Sequence, residues 1–389
     1  MEVKPGYKQT EVGIIPEEWD AVALRDFISL QRGHDLTWRD RKEGEVPVMG
    51  SAGQNGFHNV SIAEGPGVVL GRSGASFGQA HYCEQDFWPH NTALYVTDFQ
   101  GNDRLFVFYF LRSIDFSRHN SGGAQQSLNR NFIAPIKVGV PRPPEQRAIA
   151  TALSDVDGLL DRLDRLIAKK RDLKQAAMQQ LLSGQTRLPG FHGEWEVKRL
   201  DALADIRSGG TPSTGEPRFW DGDIAWCTPT DITALNGHKY LRETARLITQ
   251  LGLKASSAEM IPAHSVVMTS RATIGECAIN AVPISTNQGF KNFVPFATTD
   301  VDFLYYLLGT QKQGFISLCG GSTFLEIGKT QLAAYEVRLP STKAEQTAIA
   351  EVLTEMDGEL AGLEQRREKT RALKQAMMQE LLTGRTRLV

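Results

Sequence analysis

The chain has 389 residues, 41% of them hydrophobic and 23% charged, a composition typical of a soluble globular protein with room for two or three domains. Its net charge of -2 excludes a basic tail, so any nucleic-acid site must be a local patch. Four scattered cysteines without a C-x-x-C pair exclude a disulfide scaffold and a cysteine zinc site. Since we recognise neither a membrane helix nor a signal peptide, we expect a soluble, cytoplasmic protein.

The first 140 residues have the pattern of a mixed α/β domain. Short apolar or alternating runs bounded by Gly and Pro predict strands at 46–49, 67–70, 94–96 and 136–140. Residues 103–118 predict a helix with Leu105, Phe108, Tyr109 and Leu111 on its buried face. The loops between these elements are rich in Gly, Ser, Asn and Gln. Loops on a rigid scaffold commonly carry function. The alternative for any single loop is that its Gly and Ser residues only form a turn.

A long helix is predicted next, between the prolines at 143–144 and the stop signal at Gly184. A seven-residue period within it predicts a coiled-coil seam. One set of seam positions is Ile149, Val156, Leu163, Lys170 and Ala177, and the partner set is Ala152, Leu159, Leu166, Leu173 and Gln180.

The second half of the chain repeats the first. Residues 145–188 are identical at 24 of 44 positions to the segment 200 residues later, and a looser likeness relates 191–339 to the first domain. Residues 302–309 echo the predicted helix of the first domain. The second long helix fits the seam at Ile349, Met356, Leu363 and Leu373, whereas Leu353, Leu360 and Leu381 shift its apolar stripe sideways.

The charges of the two long helices indicate how they pair. Residues 345–360 hold five acids and no base, and residues 364–387 hold seven bases and three acids. The first copy has the same polarity. Parallel pairing would oppose like charges, so we predict an antiparallel pair. The alternative is two solvated helices, each packed on its own domain. A helix of 39 residues spans about 58 Å, which is longer than a domain needs for internal packing, so the pair could set a distance.

The chain lacks the motifs of common catalysts. Gly328-Lys329-Thr330 resembles the end of a phosphate-binding loop, but Thr323 stands where the first glycine is needed. The loop typical of amino-methyltransferases and the usual hydrolase and deaminase motifs are missing. The E-x-K of Glu196 and Lys198 is common by chance. We therefore predict no catalytic, cofactor-binding or metal site and interpret the chain as a binding protein.

Several motifs together resemble the specificity subunits of type I restriction-modification systems. The first helix carries Pro143-Pro144-Glu145-Gln146, Leu173-Lys174-Gln175-Ala176 and Gly184-x-x-Arg187-Leu188, and the second repeats most of them. The domain openings, Tyr7 to Trp19 and Gly210 to Trp226, are also similar to that family. The resemblance covers essentially the whole chain in the expected order.

The resemblance implies a fold and an assembly. It implies two globular target recognition domains of α/β (α+β) type, joined by two long helices in an antiparallel coiled coil, with a pseudo-two-fold internal repeat. The expected segments are recognition domain 1 at 1–140, a central conserved helical region at 141–190, recognition domain 2 at 191–339 and a C-terminal conserved helical region at 340–389.

The implied partners are double-stranded DNA, two modification (methyltransferase) subunits and restriction subunits. Each domain would read half of a split DNA sequence, and the coiled coil would fix the gap between halves. The chain would hold no cofactor itself, because S-adenosylmethionine belongs to the modification subunit, and ATP and Mg belong to the restriction subunit.

Base-edge reading requires Arg, Asn, Gln, Ser or Thr side chains on loops, which selects candidates in both domains. In the first domain these are Arg72, Ser73, Ser76, Asn91, Gln125, Gln126 and Arg130. In the second domain they are Thr211, Ser213, Ser270, Arg271, Asn287, Gln288, Lys291, Thr323 and Lys329. The predicted coiled-coil interface is Ile149, Val156, Leu159, Leu163, Leu166, Leu173, Ile349, Met356, Leu363 and Leu373.

Two other functions remain open from the sequence. A paired-domain scaffold would bridge proteins without reading DNA. A self-contained DNA methyltransferase or nuclease would need motifs that the chain lacks. Binding to random duplexes, with and without a modification subunit, separates the scaffold from the DNA reader.

Overall fold

A computed structural model describes residues 3–120, 126–319 and 326–388, which fold into two compact units. One unit comprises the residues up to Arg165 together with those from Glu364 onward, and the other comprises Leu166–Leu363. Each unit contains one globular domain, the beginning of the long helix that follows it, and the end of the other long helix. We call the globular parts the first domain and the second domain.

The first domain is built around a four-stranded antiparallel sheet of order β4-β10-β7-β8. A three-stranded sheet, β6-β5-β9, and the pairs β1-β2 and β11-β3 accompany it. The strands are β1 Tyr7–Thr10, β2 Gly13–Pro16, β3 Asp20–Ala23, β4 Ser29–Arg32, β5 Val46–Gly50, β6 Gly53–His58, β7 Gly67–Gly71, β8 Ala80–Cys83, β9 Trp88–Pro89, β10 Ala93–Asp98 and β11 Lys137–Val140. The helices are α1 Leu24–Phe27, α2 Arg104–Ser113 and α3 Arg130–Ile133, followed by the long helix α4 Pro143–Ser183.

The second domain repeats this plan. Its main sheet has the order β13-β20-β17-β18-β15, and a three-stranded sheet, β16-β14-β19, lies with the pair β12-β21. Both three-stranded sheets contain one parallel pair, β5 with β9 and β14 with β19. The strands are β12 Glu196–Arg199, β13 Ala204–Ser208, β14 Trp220–Cys227, β15 Tyr240–Leu241, β16 Arg246–Ile248, β17 Val266–Thr269, β18 Cys277–Asn280, β19 Ser285–Thr286, β20 Phe290–Pro295 and β21 Glu336–Leu339. The helices are α5 Pro229–Ala234, α6 Gln250–Lys254, α7 Val301–Thr310, α8 Lys312–Ser317, α9 Lys329–Ala333 and the long helix α10 Lys343–Leu381.

The predicted strands appear as β5, β7, β10 and β11, whereas the predicted helix at 103–118 ends early. Helix α2 stops at Ser113, and residues 117–119 form a separate turn of 3-10 helix. Leu105 and Phe108 are only half-buried, because the apolar run turns Phe106, Val107 and Phe110 into the core instead. The helix of the second domain, α7, matches its predicted span closely.

The two long helices begin and end where the sequence predicts. Pro143 opens α4, where its missing N–H costs no hydrogen bond, and Gly184 follows its end with φ +73°. Gly384 stands at the same place after α10 with φ +71°. A left-handed residue at a helix end favours glycine because it has no Cβ. In the part of the chain that the structure describes, no helix is long and apolar enough to cross a membrane.

Ion pairs within each unit confirm the antiparallel pairing. In the first unit Lys374 Nζ lies 2.5 Å from Asp157 Oδ1 and Arg367 Nη1 lies 3.3 Å from Asp164 Oδ1. From Asp157 to Asp164 the chain advances seven residues along α4, while the partner in α10 moves back seven residues, from Lys374 to Arg367. In the second unit Lys170 pairs with Glu359 at 2.6 Å, and Lys174 pairs with Asp357.

The seam itself is displaced from the prediction at one set of positions. Ile149, Leu163 and Ile349 are buried, and Val156, Leu159, Met356 and Leu363 are half-buried. Leu166, Leu173 and Leu373 are 40%, 47% and 57% exposed, so their assignment to the interface was wrong. The second seam set starts at Leu153 rather than Ala152, because the inward face follows a spacing of four residues after Ile149.

A buried carboxylate closes each unit at the start of its long helix. Glu145, 3% exposed, accepts hydrogen bonds from Arg387 Nε at 2.5 Å and from Trp19 Nε1 at 2.9 Å. Arg387 also reaches Glu18 at 2.9 Å, and these carboxylates hold the pKa of Arg387 above its usual value.

The second unit repeats this arrangement two hundred residues later. Glu345, 3% exposed, accepts from Arg187 Nε at 2.5 Å and from Trp195 Nε1 at 3.3 Å. Each carboxylate thus ties three segments together: its own helix, the residues after the other helix, and the tryptophan that precedes β3 or β12.

Candidate nucleic-acid interface

In the first domain, the structure gathers three of the candidate residues where β7 ends and β10 begins. The backbone N–H of Arg72 donates to the Thr92 carbonyl oxygen at 3.0 Å. The Arg72 side chain donates from Nη1 to the Asn91 carbonyl oxygen at 3.4 Å. Ser73 forms a backbone bridge with Ser127. These contacts fix the backbone of a polar surface that remains partly open to solvent.

The Asn91 side chain extends this surface toward the end of β4. Its Nδ2 donates to Asp35 Oδ1, which also accepts from Arg32 Nη2 at 3.3 Å. Arg32 and Asp35 are 54% and 71% exposed at their side chains, so water screens the pair and it adds little stability. An exposed amide, guanidinium and carboxylate side by side offer donors and acceptors to a base edge.

The remaining first-domain candidates lie elsewhere or outside the described residues. Arg130 opens α3 and donates from Nη1 to the Leu30 carbonyl oxygen at 3.4 Å. Ser76 ends a short 3-10 helix after Arg72, and Gln126 is exposed. Gln125 lies outside the described residues.

In the second domain, four candidates come together where β17 and β20 meet. Ser270 donates its backbone N–H to the Gly289 carbonyl oxygen at 2.7 Å, and its own carbonyl oxygen accepts from Ile327 at 3.1 Å. Lys291 stands directly across from Met268 on the neighbouring strand. The other two members are Arg271, which follows Ser270, and Lys329, which opens α9.

The electrostatics of this group are cationic. Arg271 Nε lies 2.9 Å from Glu326 Oε1. Among the described residues, Glu326 is the one acid whose charge acts on the pKa of Lys291. Burial is the main cause that lowers the pKa of Lys291, Glu326 opposes it, and Arg271 and Lys329 lower the pKa further.

The other second-domain candidates form a neighbouring polar turn. Asn287 Oδ1 accepts from the N–H of Gly289 at 2.9 Å, and the Thr211 hydroxyl donates to Gln288 Oε1. The backbone at residue 209 packs so closely against this turn that only glycine fits, since a Cβ on Gly209 would lie 1.8 Å from the Asn287 carbonyl oxygen. Ser213 is exposed, and its carbonyl oxygen accepts from Trp220 Nε1 at 3.0 Å. Thr323 lies outside the described residues.

Sequence reasoning missed several residues of these surfaces. Arg32, Asp35 and Glu326 reach them only through tertiary contacts, and their local sequence gives no signal. Trp38 is 78% exposed beside Arg39, on a turn held by a hydrogen bond from Thr37 Oγ1 to Asp40 Oδ2 at 2.6 Å. A tryptophan followed by the charged residues Arg39 and Asp40 in a loop was a signal that the sequence did offer.

The chain matches a known sequence family over most of its length. Residues 16–170 and 192–371 match the family described as "Type I restriction modification DNA specificity domain". The two matched segments correspond to the two halves of the internal repeat, each consisting of a globular domain and much of the helix that follows it.

Individual relatives and a solved structure agree with that match. The chain is 37% identical over 166 residues to the MjaIX specificity subunit of Methanocaldococcus jannaschii, which covers 42% of this chain and 38% of that protein. It is 25% identical over 283 residues to the EcoR124I/EcoR124II specificity subunit of Escherichia coli, covering 70% and 68%. The S subunit from M. genitalium has a similar fold, with a TM-score of 0.62 at 15% identity and 98% coverage of both chains.

Proposed function

Because the chain belongs to the type I restriction modification DNA specificity family, we propose that each of its two domains reads one half of a bipartite DNA sequence. The chain is a specificity subunit of a type I restriction-modification system, and that role is non-catalytic. The observation that carries the proposal is the duplication: two domains share one strand order but carry different side chains on their polar loops.

The two long helices give the proposed reader a fixed gap. Helix α4 has 41 residues and α10 has 39, and their ion pairs hold one register within each unit. At about 1.5 Å per residue, 39 residues span about 58 Å. In this proposal the helices set the separation of the half-sites, and the four predicted segments with boundaries near 140, 190 and 340 are the functional modules.

The chemistry in this proposal belongs to other chains. Two modification subunits supply S-adenosylmethionine and methylate adenine in double-stranded DNA, and restriction subunits supply ATP- and Mg-dependent cleavage. The complex assembles in the cytoplasm, on this chain as the part that chooses the sequence. The near-neutral net charge agrees with phosphate contacts that are local or shared with the modification subunits.

Exchange of one domain tests the proposal. Residues 191–339 are replaced by the corresponding segment of another family member, and the chimera is expressed with its modification subunits in a host without other DNA methyltransferases. Because the first domain is untouched, mapping of methylated adenines should show one half of the target changed and the other half retained.

The control is the reciprocal exchange of residues 1–140, which should change only the other half-site. A change in both halves after either exchange would contradict independent reading. If neither the natural chain nor the chimeras bind duplex DNA, with or without the modification subunits, the chain is a protein-bridging scaffold and the proposal fails.

A further inference from the structure

Lys291 is a buried lysine at the start of β20, only 5% exposed. It lies opposite Met268 of β17 on one side and Ser208 of β13 on the other. Side chains alternate along a strand, so Lys291 shares its face with Phe293, which is fully buried in the core. Lysine is almost never fully buried unless it is paired.

Among the described residues, the charge of Lys291 is only partly compensated. Glu326 is the acid whose charge acts on it, but Glu326 is already engaged by Arg271 at 2.9 Å. Arg271 and Lys329 add two more positive charges to the group. Within the described ranges, no carboxylate lies within ion-pair distance of Lys291. In the part of the chain that the structure describes, three cations therefore face one acid.

A buried hydroxyl lies on the same face of the sheet. Ser270 is fully buried, and its Oγ has no hydrogen-bond partner in the described part of the chain. Ser270 follows the last residue of β17, and its backbone N–H donates to the Gly289 carbonyl oxygen, which continues the pairing of Met268 with Lys291. If the alternation of side chains continues over this residue, Ser270 lies on the face of Lys291. A buried polar group without a partner is costly, so it calls for an explanation.

The first domain shows that the fold does not need a cation at this place. The ladder between β7 and β10 places Leu94 opposite Leu70, as the ladder between β17 and β20 places Lys291 opposite Met268. Leu94 is 2% exposed and belongs to the apolar core. An apolar side chain fills the equivalent position, so a structural requirement does not explain Lys291.

We propose that Lys291 and Ser270 form the floor of a phosphate-binding recess, with Arg271 and Lys329 at its rim, and that the phosphate belongs to the DNA backbone. The ammonium, hydroxyl and guanidinium groups all donate hydrogen bonds to phosphate oxygens. Such a contact fixes the position of the second domain on the duplex without reading sequence. The inference rests on the proposed function and adds an anchor at a position where the first domain has Leu94.

The recess should couple DNA binding to proton uptake. Glu326, Arg271 and Lys329 face Lys291, and burial lowers its pKa in the free protein. A bound phosphate favours the charged ammonium and raises that pKa, so the complex holds the proton more tightly. Affinity should therefore fall as pH rises through the lowered pKa of the free protein, below the range in which an ordinary lysine deprotonates.

The test compares Lys291→Met with Lys254→Met, an exposed lysine of α6 in the same unit. Each full-length chain, assembled with its modification subunits, binds a set of labelled duplexes between 50 and 200 mM salt. For Lys291→Met, the slope of log affinity against log salt should become shallower by about 0.9, the contribution of one phosphate. Affinity should fall by the same factor on every sequence, whereas Lys254→Met should behave as the natural chain.

Other outcomes would overturn the inference. An unchanged slope and affinity in a folded Lys291→Met chain would exclude a phosphate contact. A loss that depends on one base pair would make Lys291 a base reader. If inorganic phosphate stabilises the natural chain against heat but Lys291→Met binds DNA normally, the recess takes free phosphate. Natural protein that binds no duplex would refute the proposed function as well.

The pH profile of the natural chain gives a readout that needs no variant. If Lys291→Met does not fold, affinity that falls with rising pH before ordinary lysines deprotonate supports the recess. Affinity that stays constant until ordinary lysines deprotonate contradicts it.

Discussion

The two domains of this protein have the same skeleton and different polar surfaces. In both domains, four strands of the main sheet follow the same order. In both, a buried glutamate, Glu145 or Glu345, lies at the start of the long helix that follows. One buried position differs, since Leu94 of the first domain corresponds to Lys291 of the second. The exposed Trp38 belongs to the first domain, whereas Trp220 and Trp226 of the second are buried against each other.

This difference separates what holds each unit together from what each unit reads. The carboxylate clusters, the ion pairs and the strand order recur almost without change. The loops that follow matching strands do not. A protein in which two domains share a scaffold but read different half-sites requires this division, since a common surface would read the same bases twice.

The largest effect is expected from the buried glutamates. Glu345→Ala leaves Arg187 Nε and Nη2 and the Trp195 Nε1–H without their acceptor, which costs about 3–5 kcal/mol of unfolding free energy. Urea denaturation measures the loss. Glu355→Ala, an exposed position of the same helix, is the control and should change the free energy by less than about 0.5 kcal/mol. Equal losses at both positions would mean that the cluster does not close the unit.

Glu145→Ala sharpens the comparison between the two units. Its partner Arg387 retains Glu18 as a second acceptor at 2.9 Å, whereas Arg187 retains only the Gly193 carbonyl oxygen at 2.7 Å. The loss at Glu145 should therefore be smaller than the loss at Glu345. The reverse order, measured in the same denaturant series, would show that the exposed Glu18 contributes nothing.

The displaced seam predicts a sharp contrast within α10. Leu353 is fully buried and Leu373 is 57% exposed. Leu353→Ala should cost about 2–5 kcal/mol by leaving a cavity, and Leu373→Ala less than about 0.5 kcal/mol. Thermal or urea unfolding of both variants measures the difference. A greater loss at Leu373 would restore the seam positions that the heptad pattern first indicated.

Smaller effects are expected from the seam lysines. Lys374 pairs with Asp157, which also accepts from the Tyr109 hydroxyl at 2.7 Å, and Lys174, Asp357 and Tyr306 repeat the arrangement. Replacement of either lysine by Met should cost about 1–2 kcal/mol, because the carboxylate keeps only its tyrosine.

A double-mutant cycle of Lys374→Met with Asp157→Asn isolates the pair, and the same cycle in the second unit is its control. Coupling energies that agree between the two cycles support equivalent seams. A coupling near zero in one unit only would break the equivalence.

The sequence predicted the duplication, the long helices and their orientation, because those depend on local signals. Proline and glycine mark the helix ends, and the charge order along each helix favours antiparallel pairing. The seam was misplaced by one residue at Leu166, where the equally apolar Ile167 is the buried residue. It was misplaced at Leu173 and Leu373 because Lys174 and Lys374 occupy inward positions that a search for apolar residues rejects. A lysine that pairs across the interface cannot be told from a solvated one until its partner is known.

The polar surfaces were predicted only in part. Ser270, Arg271, Lys291 and Lys329 were chosen for residue type and do lie together, but their grouping depends on the meeting of two strands and a helix far apart in sequence. The burial of Lys291 has no local signal at all. Arg32 and Asp35 became visible only through their contact with Asn91.

The central claim is that the paired helices set the gap between two half-sites, and one insertion series tests it most directly. Twenty-one residues, three heptads, are inserted after Arg165 and after Gln365, positions that the Asp164–Arg367 pair places side by side. The helices lengthen by about 32 Å, close to one turn of DNA at about 34 Å, so both domains keep their groove. Insertion of seven residues in each helix should instead turn one domain from its groove and weaken binding.

Selection of bound duplexes that vary only in gap length is the measurement. The account predicts the natural half-sites with a preferred gap longer by roughly 9 base pairs, at about 3.4 Å each. An unchanged gap preference with undiminished affinity would show that the helices do not set the distance.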